Sequence, residues 1–222
     1  MRRLIIFDVC NTLVDANSTF SYVNYLLDKW IKPWYKLLFR SKILWYLYFL
    51  LYLLFKFDFR IFLTKEYFKW LDVNEVKSLS WEYFRRYESK IFPHMLDIIN
   101  HEKKTSKIIL LSSSINPPID FLKEKFWIEW FSSKLEEKDW KYTWKVLTPL
   151  WWKKETVFEK IMFDLKEYRK IDFYTDNHDD YNLIKYLNQQ NNNLKIYIKS
   201  YWNKKYWIRF FSNNRINYEF VD

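Results

Sequence analysis

No glycine occurs anywhere in the 222 residues. Average usage is about 7%, and glycine is the residue that takes left-handed backbone without steric cost. A chain without it must turn on other residues, which is costly for bulky ones. Cysteine is nearly as scarce: the single Cys10 excludes an internal disulfide and suits a reducing cytoplasm. The longest unbroken apolar run, Ile43 to Phe55, has 13 residues, whereas spanning a bilayer takes roughly 20. The opening apolar run stops at Asp8, too short for a signal-peptide core. Lysines and arginines give a net charge of +10 but form no basic arm. That pattern predicts no nucleic-acid partner and fits anionic lipid headgroups or phosphorylated substrates better.

What is present begins with Leu4-Ile5-Ile6-Phe7-Asp8. A short continuous apolar run reads as a strand buried on both faces of a parallel sheet. Asp8 then stands at its carboxyl end, where open α/β sheets place ligands. Similar strands end in polar residues at Lys107–Ser112 and Ile171–Asp176, and helical spacing fills the intervals. Strands alternating with helices imply an α/β fold around a parallel sheet.

These residues resemble the motifs of the haloacid dehalogenase-like (HAD) superfamily. Asp8-Val9-Cys10-Asn11-Thr12-Leu13-Val14 is similar to its first motif, DxDGTLh, and Ser112 to the hydroxyl of the second. Lys154 is similar to the third-motif lysine, with Lys153 as the alternative, and Asp176 to Asp180 matches the DxxxD of the fourth. The nearest likeness is to the phosphoserine phosphatase-like subfamily IB. It implies a Rossmann-like core of residues 1–16 and 91–222, with a helical C1-type cap inserted at 17–90. It implies a phosphomonoester hydrolase in which Asp8 is phosphorylated, Ser112 and Lys154 hold the phosphate, and Mg²⁺ is bound by Asp8, the Cys10 carbonyl, Asp176 and Asp180. Asp180 is alternatively the group that orients the lysine. The expected substrate is a small phosphomonoester, and the expected location is the cytoplasm.

One departure bears on the chemistry. The family's second aspartate, acid for the leaving group and base for the hydrolytic water, is replaced by Cys10. A thiol of ordinary pKa near 8.5 is a weak acid at neutral pH, and losing a general acid–base costs on the order of 10²–10⁴ in rate. Three outcomes follow: a slow phosphatase, a phosphotransferase with a persistent intermediate, or a phosphate-binding protein without turnover. Asn11 replaces the loop glycine, and asparagine is among the few residues that tolerate left-handed backbone.

Thirteen tryptophans accompany the missing glycines. Trp140 and Trp144 occupy the glycine places of the family's DGxxTG hairpin, Trp151 and Trp152 precede the motif lysine where a glycine turn is usual, and Trp127 ends a helix pattern. We read many of these as UGA codons that the source organism translates as glycine, with Trp207, in a strand-like stretch, as a candidate for a true tryptophan.

At the start of the insert the polar segment Asp15-Ala16-Asn17-Ser18-Thr19 holds candidate helix caps, and Asn74 is a candidate further on. The run 43–55 reads first as a central helix covered by its neighbours, and alternatively as a helix lying on a membrane surface. With the second reading goes an alternative function, a catalytically weak headgroup-binding protein docked at the membrane. Later segments predict a helix over 154–166, a solvated loop over 188–193, a final strand at 195–200, an exposed His178 and an uninformative tail from Ser212.

Overall fold

The computed structural model describes residues 2–55, 58–151, 153–160, 164–191, 193–199 and 204–221. Its frame is a seven-stranded sheet of order β4-β3-β2-β1-β5-β6-β7. The strands are β1 (Arg2–Asp8), β2 (Lys107–Ile115), β3 (Glu129–Lys138), β4 (Lys141–Thr148), β5 (Tyr168–Thr175), β6 (Leu194–Ile198) and β7 (Asn217–Phe220). Every pairing is parallel except β3 with β4. Leu4, Ile5, Ile6 and Phe7 are all 0% exposed, which explains why β1 reads as an unbroken apolar run: helices cover both faces. The register pairs Asp8 with Leu111 and Phe7 with Tyr174. Ser112 and Asp176 therefore each stand one residue beyond the level of Asp8.

Helices α1 (Ser18–Asp28), α2 (Lys36–Arg40), α3 (Lys42–Phe55), α4 (Phe59–Phe68) and α5 (Val73–Tyr87) lie between β1 and β2, followed by α6 (Pro93–Glu102). Of the polar segment 15–19 it is Asn17 that caps α1, accepting from the Phe20 N–H at 3.2 Å. Asn74 does not cap α5: it lies inside the helix, and Asp72 accepts from the Glu75 N–H at 2.9 Å instead. The chain returns to the sheet where Asp15 N–H meets the Lys90 carbonyl and Phe92 N–H meets the Leu13 carbonyl. The covered central helix is not what forms. In α3 only Tyr48 is buried, while Ile43, Leu50 and Leu54 are exposed.

After β2 come α7 (Pro117–Phe126), α8 (Thr156–Lys160), α9 (Tyr181–Gln190) and α10 (Lys204–Asn214). The helix expected over 154–166 begins later, at Thr156, and Ile161 and Met162 lie outside the described residues, as do Trp152 and Ser200. Asn188 to Gln190 continue α9 rather than opening a solvated loop, and Asn191 is buried with its amide donating to the Tyr168 carbonyl at 2.6 Å. Trp207 sits in a helix, not a strand, and is fully buried. The polar tail contributes the edge strand β7, so β6 is not the last.

The missing glycines leave a mark on the backbone. Of the eight described residues with positive φ, four are tryptophans: Trp30, Trp70, Trp127 and Trp140. Trp127 is the left-handed cap of α7, and its N–H reaches the Lys123 carbonyl at 2.8 Å. Asp139 and Trp140, with φ of 51° and 61°, form the tight turn between β3 and β4, a geometry that favours Asp-Gly. Each such residue carries a conformational cost of about 1–3 kcal/mol. Trp127→Gly and Trp140→Gly in the tryptophan-containing protein are therefore expected to raise its unfolding free energy by about 1 kcal/mol each. Urea titration checks this, and a lowered midpoint in both variants contradicts it.

Candidate active site

The carboxyl ends of β1, β2 and β5 meet in a cavity of about 250 Å³ whose wall includes Asp8, Cys10, Ser112, Lys154 and Asp176. That is room for a small phosphorylated molecule. Asp180 lies directly behind it, 1% exposed. All six residues singled out from the sequence thus come together.

Lys154 is the hub. Only 5% exposed, its Nζ lies 2.7 Å from Asp8 Oδ1 and 2.7 Å from Asp180 Oδ1. Lys153 is exposed, so the geometry selects Lys154. The other oxygen of Asp180 accepts from the Thr175 hydroxyl at 2.6 Å. Asp180 therefore orients the lysine, and both its oxygens are engaged in doing so. The two carboxylates hold the Lys154 ammonium protonated against burial. Burial is also what pushes Asp8 well above the usual carboxylate range, with Asp180 and Asp176 adding to it and Lys154 opposing it.

Asp176 is raised by burial and by Asp180, and it lies within hydrogen-bonding reach of Asp8. Thr12 steadies it, donating to Oδ1 at 3.2 Å. Three carboxylates thus surround one ammonium. This surplus of negative charge fits a divalent cation. Asp8 and Asp176 both line the cavity, and a pair of carboxylates suits Mg²⁺, which takes one or two carboxylates and keeps its waters. Among the described residues no preformed cluster of three or more acidic, histidine or cysteine side chains is available to hold a metal.

The loop after β1 turns as the sequence predicts: Asn11 has φ of 55°, and the N–H groups of Leu13 and Val14 both reach the Val9 carbonyl. Cys10 Sγ lies 3.0 Å from Ser114 Oγ and accepts from the Ser18 N–H at 3.3 Å. Burial and the neighbouring Asp8 raise its pKa, so the thiol is neutral at physiological pH. Ser112 is fully buried, and its hydroxyl takes the Ser114 N–H at 3.2 Å. That N–H is consequently already used within the protein. His178 is not exposed: it is half-buried, stacks on Tyr206 and packs at a tilt against Trp207.

The insert closes the cavity with Asn17, Thr19, Phe20, Asp58, Arg60, Ile61 and Thr64. Asp58 caps α4 and pairs with Arg60 at 3.0 Å. Neither was legible from the sequence, because a capping aspartate followed by arginine is ordinary at a helix start. Thr175, by contrast, stands one residue before the DxxxD pattern, a position that could have drawn attention to it.

No family model matches the chain, and no curated protein matches it. Solved structures do. A protein of unknown function from Bordetella pertussis Tohama I superposes with a TM-score of 0.75 at 14% identity, covering 100% of this chain and 99% of its own. A phosphoserine phosphohydrolase-like protein from Francisella tularensis gives 0.61 at 17% identity, covering 100% and 95%. A HAD-family hydrolase from Salmonella enterica serovar Typhi gives 0.58 at 14% identity, covering 98% and 66%. The chain shares the fold of these structures, a HAD-family hydrolase among them. Within that fold, Asp8 occupies the carboxyl end of the central strand.

The lysine clamp generates a prediction. Lys154→Met strands Asp8 and Asp180 without their cation, and is expected to destabilise the fold by about 3 kcal/mol, as breaking a buried pair does. Combining it with Asp180→Asn is expected to cost less than the sum of the two single changes. Urea unfolding of the three variants measures the coupling. Additive losses contradict a clamp.

Proposed function

We propose that this protein is a Mg²⁺-dependent phosphatase that forms an aspartyl-phosphate on Asp8 and turns over a small phosphomonoester slowly. The observation that supports the reading most is the buried ammonium of Lys154 beside Asp8, facing Ser112 across the cavity. Isolated, such a charge is expensive to bury; beside a nucleophilic carboxylate it is the counter-charge for an incoming phosphate.

In this reading the substrate phosphate enters between Lys154 Nζ and the Ser112 hydroxyl. Mg²⁺, held by Asp8, Asp176 and the Cys10 carbonyl, would neutralise phosphate charge when bound. An Asp8 carboxylate oxygen attacks phosphorus, the bond from phosphorus to the ester oxygen breaks, and the leaving alkoxide takes a proton. Water then attacks the phosphorus of the aspartyl-phosphate, releasing inorganic phosphate and the free carboxylate. Both half-reactions need a proton carrier. Cys10 is the group at the family's acid–base position, and its raised pKa leaves it a poor donor and no base. The second half-reaction suffers more, because water needs a base and the thiol already carries its proton. We place this chemistry in the cytoplasm, where the lone thiol stays reduced, and read residues 17–90 as the lid that selects the substrate.

Phosphate release from a panel of phosphomonoesters is expected to require Mg²⁺ and to vanish in Asp8→Asn. Release that survives Asp8→Asn overturns the reading. Cys10→Asp is expected to raise kcat by about 10²-fold, the low end of what a restored general acid–base supplies. Unchanged turnover in the folded variant contradicts the role given to Cys10.

A further inference from the structure

We propose that α3 docks this protein on an anionic bilayer surface, lying in the interfacial plane. Ile43, Tyr46, Leu47, Leu50 and Leu54 are 81%, 77%, 46%, 50% and 65% exposed. With Phe49 and Leu53, also exposed, they form a stripe covering about 160° of the helix at 100° per residue. Tyr48 faces the protein and packs on Phe59 at 4.7 Å. Within the exposed arc the one charged residue is Lys42, at the first position of the helix, and contiguous apolar surface of this kind marks an interaction site.

Length and charge choose the occupant. The fourteen residues of α3 extend about 21 Å, short of the roughly 30 Å hydrocarbon core. No single described helix is long and apolar enough to cross a membrane, and the one pair that qualifies jointly, Pro33–Arg40 with Lys42–Phe55, is bent by 66°. Straightening that pair would pull Arg40 from Asp28, to which it is bound at 2.7 Å. A helix lying flat satisfies both facts. From Lys29 to Phe57 the chain has six basic residues and no acidic one. Lys29 and Arg40 are paired, while Lys36 and Lys42 are exposed at the ends of α2 and α3. A basic margin beside an apolar stripe complements anionic headgroups. A second copy seated on the same stripe would bring like charges together.

The test is co-sedimentation of the full chain with vesicles of phosphatidylglycerol and phosphatidylcholine, and with phosphatidylcholine alone. Binding is expected to the anionic vesicles and to fall about 10-fold or more in Leu50→Lys/Leu54→Lys, with circular dichroism and thermal midpoint unchanged. No binding, or equal binding by the folded variant, overturns the proposal. A dimer in light scattering that the variant dissolves, without vesicle binding, assigns the stripe to a second copy and also overturns it. The assay reads binding alone, so it is decided separately from the phosphatase reading.

A different observation independently carries a second inference: the tryptophan letters at positions 30, 70, 127 and 140 stand for glycine in the natural protein. All four have left-handed backbone, and all four side chains are exposed, at 79%, 67%, 92% and 73%. Trp30, Trp70 and Trp127 follow the ends of α1, α4 and α7, where glycine is the usual residue, and Trp140 completes an Asp-Gly type of turn. Indole gains nothing from burial at these places. Trp144, by contrast, lies in β4 without positive φ, and buried Trp207 stacks on Phe211. A UGA codon read as glycine accounts for the four positions and for a sequence without glycine. Peptide mass spectrometry of the protein from its source cells is expected to find glycine at 127 and 140. Tryptophan at both overturns the inference.

Discussion

A lysine ammonium held between two buried carboxylates organises the centre of this protein. Asp8 closes β1, Asp180 follows β5, and Lys154 precedes α8, so the contact ties three separate stretches of chain at one point. Neither carboxylate is tolerable there alone, and neither is the ammonium. Thr175 and Thr12 extend the network, one holding Asp180 and the other Asp176. The arrangement keeps the Asp8 carboxylate beside a fixed positive charge, which, in the function proposed for it, is what phosphoryl transfer asks of a protein scaffold.

How much of this was legible follows from the kind of signal each part leaves. The apolar run into Asp8 and the DxxxD after β5 are local patterns, and both strands form where they were expected. The motif spacing already favours Lys154 over Lys153, and burial agrees with that choice. Arg60 and Asp58 reach the cavity through the tertiary placement of α4 and leave no sequence signature. The tail misled because β7 is a partly exposed edge strand whose polar residues look like loop. Asn191 misled for the opposite reason: a polar residue in a polar run proved to be a buried cap on two carbonyls.

The insert and the missing glycines bear on one another. Exposed tryptophans beside an exposed apolar helix would ordinarily read as one aromatic membrane surface. The backbone separates them: the left-handed tryptophans sit at helix ends and a hairpin, whereas the stripe on α3 is built of leucine, isoleucine, phenylalanine and tyrosine at regular helical spacing. The first set follows from chain geometry and the second from a surface that needs covering. Arg60 lines both the cavity at the carboxyl ends of the strands and the groove along α3.

The account rests on Asp8 becoming phosphorylated. Acid quenching of the protein during turnover with Mg²⁺ and a phosphomonoester, followed by mass spectrometry, tests it most directly. The N-terminal peptide is expected to carry phosphate on Asp8, in larger amount in the natural protein than in Cys10→Asp. Phosphate release with no phosphorylated Asp8 at any quench time contradicts it.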